Sequence, residues 1–280
     1  MSLKDILAIV LDAEGDAAAL RATGLLAQQH NAHAGCVFLL ALPDEPLAYE
    51  PTVVAGVWAE LLNRARQDAA GELGKVEAAL KAMAQPIELR RAEALGRDLG
   101  RVGAVHARYG DLAVLTRPSA ADRRELRHDL IEGVLFHAGR PALIVPPDWD
   151  GAALGKRVVV AWDASREATR ALGDAAALIG AAEAVTVVTV DARPKAFGHG
   201  DQPGANIAAH LSRRGAKVEV CNIAAGGRSL ADALMAQAAA AQADLVVMGG
   251  YGHARIQEFL FGGATREALD TSPLPILMSR

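Results

Sequence analysis

Three apolar runs in the first half of the chain return in the second half, in the same order. Asp5-Ile-Leu-Ala-Ile-Val-Leu-Asp12 is matched by Lys156-Arg-Val-Val-Val-Ala-Trp-Asp163, each a polar or basic start, an apolar run and an aspartate. Gly110-Asp-Leu-Ala-Val-Leu115 is matched by Ala243-Asp-Leu-Val-Val-Met248, and Gly139-Arg-Pro-Ala-Leu-Ile-Val145 by Pro273-Leu-Pro-Ile-Leu-Met278. An ordered set of matches at this separation marks a duplicated domain, because the period is far too long for a solenoid unit. The expected division is residues 1–147 and 151–280, joined at the proline-rich Pro146-Pro147-Asp148-Trp149-Asp150-Gly151.

Each repeat alternates short apolar runs with longer stretches of helical spacing. In the first, strands are expected at 4–11, 35–41, 86–92, 111–116 and 141–145, with helices near 15–31, 53–83, 95–108 and 122–138. In the second, strands are expected at 156–162, 184–190, 216–222, 244–248 and 274–278, with helices near 165–180, 204–214, 228–242 and 263–270. Alternating strands and helices imply an α/β fold with a parallel sheet covered on both faces. Right-handed crossovers make it doubly wound, with ligands at the carboxyl ends of the strands where the winding reverses.

Composition supports packed cores and excludes several classes. The 280 residues are 51% hydrophobic but only 4% aromatic, so alanine and aliphatic side chains must fill the interior. No apolar run reaches the ~20 residues of a spanning helix. The opening MSLKDILAIVLDAEGD reads as a strand, without the small-residue cleavage site of a signal peptide. Cys36 and Cys221 lie in strand-like runs of different halves, as expected of buried thiols in a reducing cytoplasm. Residues 1–150 carry 16 basic and 21 acidic groups, and the remainder 13 and 12. Neither balance suits general nucleic-acid binding.

The stretch richest in chemistry is Ala243 to Thr265, ADLVVMGGYGHARIQEFLFGGAT. Glycines 249, 250 and 252 follow an apolar strand, and Gly262 and Gly263 precede a helical pattern. Such a segment can wrap a phosphate, since glycine lets backbone N–H groups approach an anion and a helix start favours negative charge. The same glycines would also serve a tight turn. His253 and Arg255 follow the first cluster and are equally readable as phosphate partners or as exposed loop residues. His30, His33 and Cys36 straddle a helix end and a strand start and lack zinc-ligand spacing. There is no Walker loop with its lysine, no nucleophile elbow and no H-E-x-x-H.

Asp163 after a first strand, followed by Gly249-x2-Gly252-x9-Gly262, resembles the nucleotide-binding pattern of the universal stress protein family. The resemblance spans the chain twice, as a tandem protein. It implies a five-stranded parallel sheet in the order 3-2-1-4-5 in each half. It also implies pairing through the fifth strands, here an internal pseudo-dimer. Carried over by position, Ala161, Trp162 and Asp163 would lie beside adenine or ribose, and Val190 would line the adenine pocket. Met248 and Gly249 would flank the nucleotide, with Gly252 in the loop around the phosphates. Gly262, Gly263 and Ala264 would offer N–H groups. The implied ligand is ATP or another adenine nucleotide, with or without Mg.

Two departures qualify this. Where the family's ATP binders place serine or threonine after the last glycine, this chain has Gly263, and Thr265, two residues on, is the nucleotide-site candidate left to offer a hydroxyl. In the first half no glycine lies between Asp111 and Gly133, Pro118 removes an N–H donor, and Arg117, Arg123 and Arg124 read as a solvated charged face. The first half is therefore expected to have lost nucleotide binding. The leading expectation is a cytoplasmic stress-response protein with a regulatory nucleotide in the second half and at most slow hydrolysis. The alternatives are a nucleotide-free interaction module, with a protein partner the sequence does not identify, and an adenylating enzyme. The missing serine-glycine loop after the first strand speaks against the enzyme.

Overall fold

The computed structural model describes residues 2–45, 51–119, 123–194, 199–251 and 263–280. The first half runs β1 (Asp5–Val10), α1 (Ala17–His30), β2 (His33–Leu42), α2 (Pro51–Lys81), β3 (Glu88–Leu95), α3 (Leu99–Ala107), β4 (Leu112–Thr116), α4 (Arg124–His137) and β5 (Ala142–Val145). The second runs β6 (Arg157–Ala161), α5 (Arg166–Asp174), α6 (Ala176–Ala181), β7 (Ala184–Val190), α7 (Ala205–Arg213), β8 (Val218–Ile223), α8 (Leu230–Ala240), β9 (Leu245–Gly249), α9 (Gly263–Thr271) and β10 (Ile276–Ser279). The helix expected over 165–180 is divided, because Ala175 (φ −81°, ψ 2°) leaves helical geometry between α5 and α6.

All ten strands form one sheet in the order β3-β2-β1-β4-β5-β10-β9-β6-β7-β8. Each half is thus a parallel five-stranded sheet wound 3-2-1-4-5. The pairs within each half are parallel, while β5 and β10 pair antiparallel through Ile144–Ile276, Leu143–Leu277 and Ala142–Met278. The apolar runs that mark the repeat are the central strands, and they are apolar throughout because helices bury both faces. One continuous core packs α3, α4, α8 and α9 against one face across both halves. A second packs α1, α5 and α6 on the other face and includes both Leu143 and Leu277. A third cluster is specific to the first half, where Val76 and Leu80 of α2 cover Ala8, Val10, Cys36 and Phe38.

The repeat is also visible at strand starts. Asp111, just before β4, accepts N–H bonds from Lys4 (2.7 Å) and Asp5 (3.1 Å). Asp244, just before β9, accepts them from Gly155 (2.8 Å) and Lys156 (3.1 Å). One carboxylate per half ties the fourth strand to the first. At the outer edge, β3 carries Glu88, Arg90, Arg91 and Glu93, a charged strand that discourages edge-to-edge association. Between α3 and α4, a Cβ on Gly133 would stand 2.3 Å from the Cα of Gly100, so only glycine lets these helices approach so closely. No helix among the described residues is long and apolar enough to cross a membrane.

Cys36 is fully buried in β2, and burial, with the Asp16 carboxylate second, pushes its thiol pKa up to about 12. Cys221 in β8 is partly exposed. Iodoacetamide at pH 8 should therefore label Cys221 in the native protein and leave Cys36 unmodified until denaturant is added. Peptide mass spectrometry reads both sites. Equal native labelling would contradict the buried register of β2.

Candidate functional site

In the second half, β6 lies between β9 and β7, so the winding reverses at β6. Its carboxyl end is therefore the crevice that this topology offers a ligand. The residues singled out from sequence meet there in part. Ala161, Val190 and Met248 pack against the same core on one face of the sheet. Trp162 alternates to the other face and packs with α5 and α7, while its N–H donates to Val188 O at 2.8 Å. Asp163 is exposed at the mouth, its Oδ1 accepting the Ser165 N–H at 3.0 Å. Ser165 in turn caps α5 by accepting the Ala168 N–H at 3.1 Å. The aspartate thus shapes the turn that starts α5 while facing the crevice.

Gly249 has a packing role of its own. A Cβ there would stand 2.5 Å from the Ala168 nitrogen, so glycine lets α5 close on the end of β9. Gly250 continues the strand by donating to Ser279 O at 2.9 Å. Tyr251 then turns the chain in left-handed geometry (φ 57°), and its N–H donates to Thr265 Oγ1 at 3.3 Å. The Thr265 hydroxyl, in a residue 7% exposed, thus holds the Tyr251 turn by one accepted bond and keeps its own proton to donate. Gly252, His253, Arg255 and Gly262 lie outside the described residues. Gly263 opens α9, and a Cβ added there meets no described atom within 4 Å. Ala264 follows in the first turn of that helix.

Sequence reading missed the part played by α4 of the first half. The Tyr251 hydroxyl donates to Glu132 Oε1 at 3.2 Å, and its ring lies 5.0 Å from that of Phe136. Burial, with the Glu132 carboxylate second, raises the phenol's pKa, so Tyr251 holds its proton and remains a donor. At the other end of the helix, Arg124 Nη2 pairs with Asp270 Oδ2 at 2.9 Å, and His128 Nε2 lies 2.8 Å from Asp270 Oδ1. Arg117 donates to the Asp270 carbonyl, and Arg123 to Leu11 O at 3.0 Å. Arg123 and Arg124 are exposed, as expected of a solvated charged face, and Arg117 is half-buried, yet all three also make fixed contacts. They tie the first half to α9 and to the end of β1.

The matching crevice of the first half keeps a cavity of about 570 Å³, lined in part by Asp12, Glu14, Glu72, Lys75, Arg123 and Arg127, and an ion-pair network forms its inner wall. Arg127, 6% exposed, donates to Asp16 Oδ1 and, at 2.8 Å, to Asp12 Oδ2. Asp16 is fully buried and also accepts the Leu11 N–H at 2.7 Å. Desolvation opposes the guanidinium charge, but the Asp16 and Asp12 carboxylates together outweigh it and raise the Arg127 pKa. A signal for this was present: Arg127 shares a helical stripe with Leu130, Ile131 and Val134, all buried. A charge on an apolar stripe needs a buried partner.

These features define a duplicated, doubly wound α/β protein whose first strand-end crevice is walled by a buried arginine–aspartate network. Residues 155–280 match the Universal stress protein family, and this half of the chain belongs to it. Among curated protein sequences, none matches the chain. Over its whole length it shares the fold of a universal stress protein from Archaeoglobus fulgidus, with a TM-score of 0.70 at 17% identity, covering 100% of this chain and 97% of that one. A functionally unknown protein from Pseudomonas aeruginosa PAO1 aligns with a TM-score of 0.54 at 15% identity, covering 99% of this chain and 92% of that one. A universal stress protein solved in complex with cAMP covers 53% of this chain and 100% of its own, at 18% identity and a TM-score of 0.32.

Breaking a buried ion pair by removing one partner costs about 3–5 kcal/mol, because the remaining charge is stranded. Arg127→Met should therefore lower unfolding stability by about that amount in urea denaturation at neutral pH. A change below ~1 kcal/mol would place Arg127 among the surface pairs instead.

Proposed function

We propose that this chain is a cytoplasmic stress-response protein that binds an adenine nucleotide in residues 151–280. Residues 1–147 serve as its nucleotide-free structural partner. The observation that carries the reading is the contrast between the two crevices. In the first, the cavity is lined by the carboxylates of Asp12, Glu14 and Glu72, and Arg127 is already paired with Asp12 and Asp16, which disfavours a phosphate. In the second, Asp163 is exposed past the end of β6, and a Cβ on Gly263, where α9 begins, would meet no described atom within 4 Å. A helix start free of side-chain obstruction suits a phosphate group. Ala161, Val190 and Met248 give the adjoining surface an apolar character fit for a base, and Asp163 offers a carboxylate to ribose hydroxyls. Gly252, Gly262, Gly263 and Ala264 supply backbone N–H groups around the phosphates, with His253 and Arg255 as flanking cations. The two halves act as an internal pseudo-dimer across the antiparallel β5–β10 seam. The nucleotide is regulatory in this reading, and the sequence offers no Walker lysine or nucleophile elbow for turnover.

A second reading has specific support. Gly249 is explained by its contact with Ala168, and the Thr265 hydroxyl by its bond to Tyr251. A nucleotide-free interaction module needs nothing more of either residue.

Calorimetric titration of the nucleotide-stripped protein with ATP and then AMP separates the two. One site per chain, lost in Gly252→Val with the fold retained, is the expected result. No heat and no thermal shift with either nucleotide would leave the interaction module standing. Gly263→Ser should fold normally, since no described atom lies within 4 Å of the added Cβ, and should tighten binding roughly ten- to a hundred-fold through one charge-assisted hydrogen bond. Equal or weaker affinity would remove the role assigned to that position.

A further inference from the structure

The duplication creates a vacancy on the opposite face of the second half. Between β2 and β3 the first half has α2, 31 residues long, whose Val76 and Leu80 seal the sheet. The counterpart between β7 and β8 is α7, with nine residues, of which only Leu211 is fully buried. A cavity of about 460 Å³ remains between α5 and α7, lined in part by Trp162, Leu172 and Ile207. Its volume lies within the range of small-molecule sites, ~300–1,000 Å³.

Among the described lining residues Arg214 is the one permanent charge and no carboxylate is present; His199 and His210 are the other basic groups. Arg214 Nη1 lies 3.3 Å from His210 Nε2, which holds the exposed guanidinium beside the cavity. An apolar floor with an indole, and a guanidinium with imidazoles at its side, together specify a complementary guest. We propose that this cavity is a second ligand site, separate from the strand-end crevice, for a small aromatic carboxylic acid. The ring stacks on Trp162 between Leu172 and Ile207. The carboxylate accepts hydrogen bonds from the Arg214 fork, whose planar geometry matches it.

The test uses the full chain and 2-naphthoate as probe, titrated calorimetrically with and without saturating ATP. Saturable binding of one 2-naphthoate per chain, unaffected by ATP, is expected. The neutral counterpart 2-naphthylmethanol should bind at least tenfold more weakly. Arg214→Ala, an exposed position whose loss leaves the core intact, should weaken 2-naphthoate at least tenfold, and Trp162→Ala should abolish binding. Arg213→Ala, the neighbouring charge outside the cavity, should change nothing. Absence of saturation at millimolar probe overturns the site. Wild-type affinity in Arg214→Ala, or equal binding of the alcohol, overturns the carboxylate assignment. Competition by ATP would merge the cavity with the crevice and overturn its independence, whereas failure of ATP to bind at all bears only on the nucleotide reading.

Discussion

Everything in this molecule rests on the antiparallel pairing of β5 with β10. Alone, each half would end in a short, largely apolar edge strand, and an unpaired edge of that kind invites association. Paired through Leu143–Leu277 and Ile144–Ile276, the two strands become the centre of a ten-stranded sheet. The residues at the seam are at most 2% exposed. Complete burial of a leucine or isoleucine side chain contributes about 1.5–3 kcal/mol, so the seam is held by cohesion comparable to that of a domain interior. It also merges the cores, because α4 and α9 pack on the same face across it.

Antiparallel pairing has a geometric consequence. The strands of the two halves point in opposite directions, so their crevices open at opposite edges of the sheet. Helices that precede the fifth strands run between those edges. This is why Arg117 and Arg124, near the first crevice, reach Asp270 at the end of α9. It is also why Glu132 and Phe136, further along α4, reach Tyr251 beside the second crevice. The cross-contacts follow from the seam and need no separate explanation.

Much of the fold was legible in the sequence because central strands buried on both faces must be apolar throughout, and those runs recur in order. The ends of β6, β7 and β9 could be brought together on that basis alone. Which face each side chain takes was less legible. Trp162 follows Ala161 in the chain and so points to the opposite face, where it belongs to another cavity. The glycines were ambiguous because a close helix approach and a phosphate cradle make the same demand on position 249. The buried Arg127 escaped notice among its neighbours Arg123 and Arg124, since composition alone does not separate them. Only the phase of α4 does, by setting Arg127 on the stripe of Leu130 and Val134. The cavity above Trp162 was recorded only as a difference in length between α2 and α7, which acquires meaning once both are seen to cover equivalent strands.

Helix α4 meets both crevices at once. Arg127 forms part of the wall of the first, and Phe136 buttresses the turn at Tyr251 beside the second. They stand nine positions apart, an axial span of about 13.5 Å at 1.5 Å per residue. An α-helix of this length behaves as a stiff rod, and this one is pinned at one end by ions and at the other by aromatic rings. The buried guanidinium of one copy thereby fixes a pivot against which the turn of its sister copy is braced.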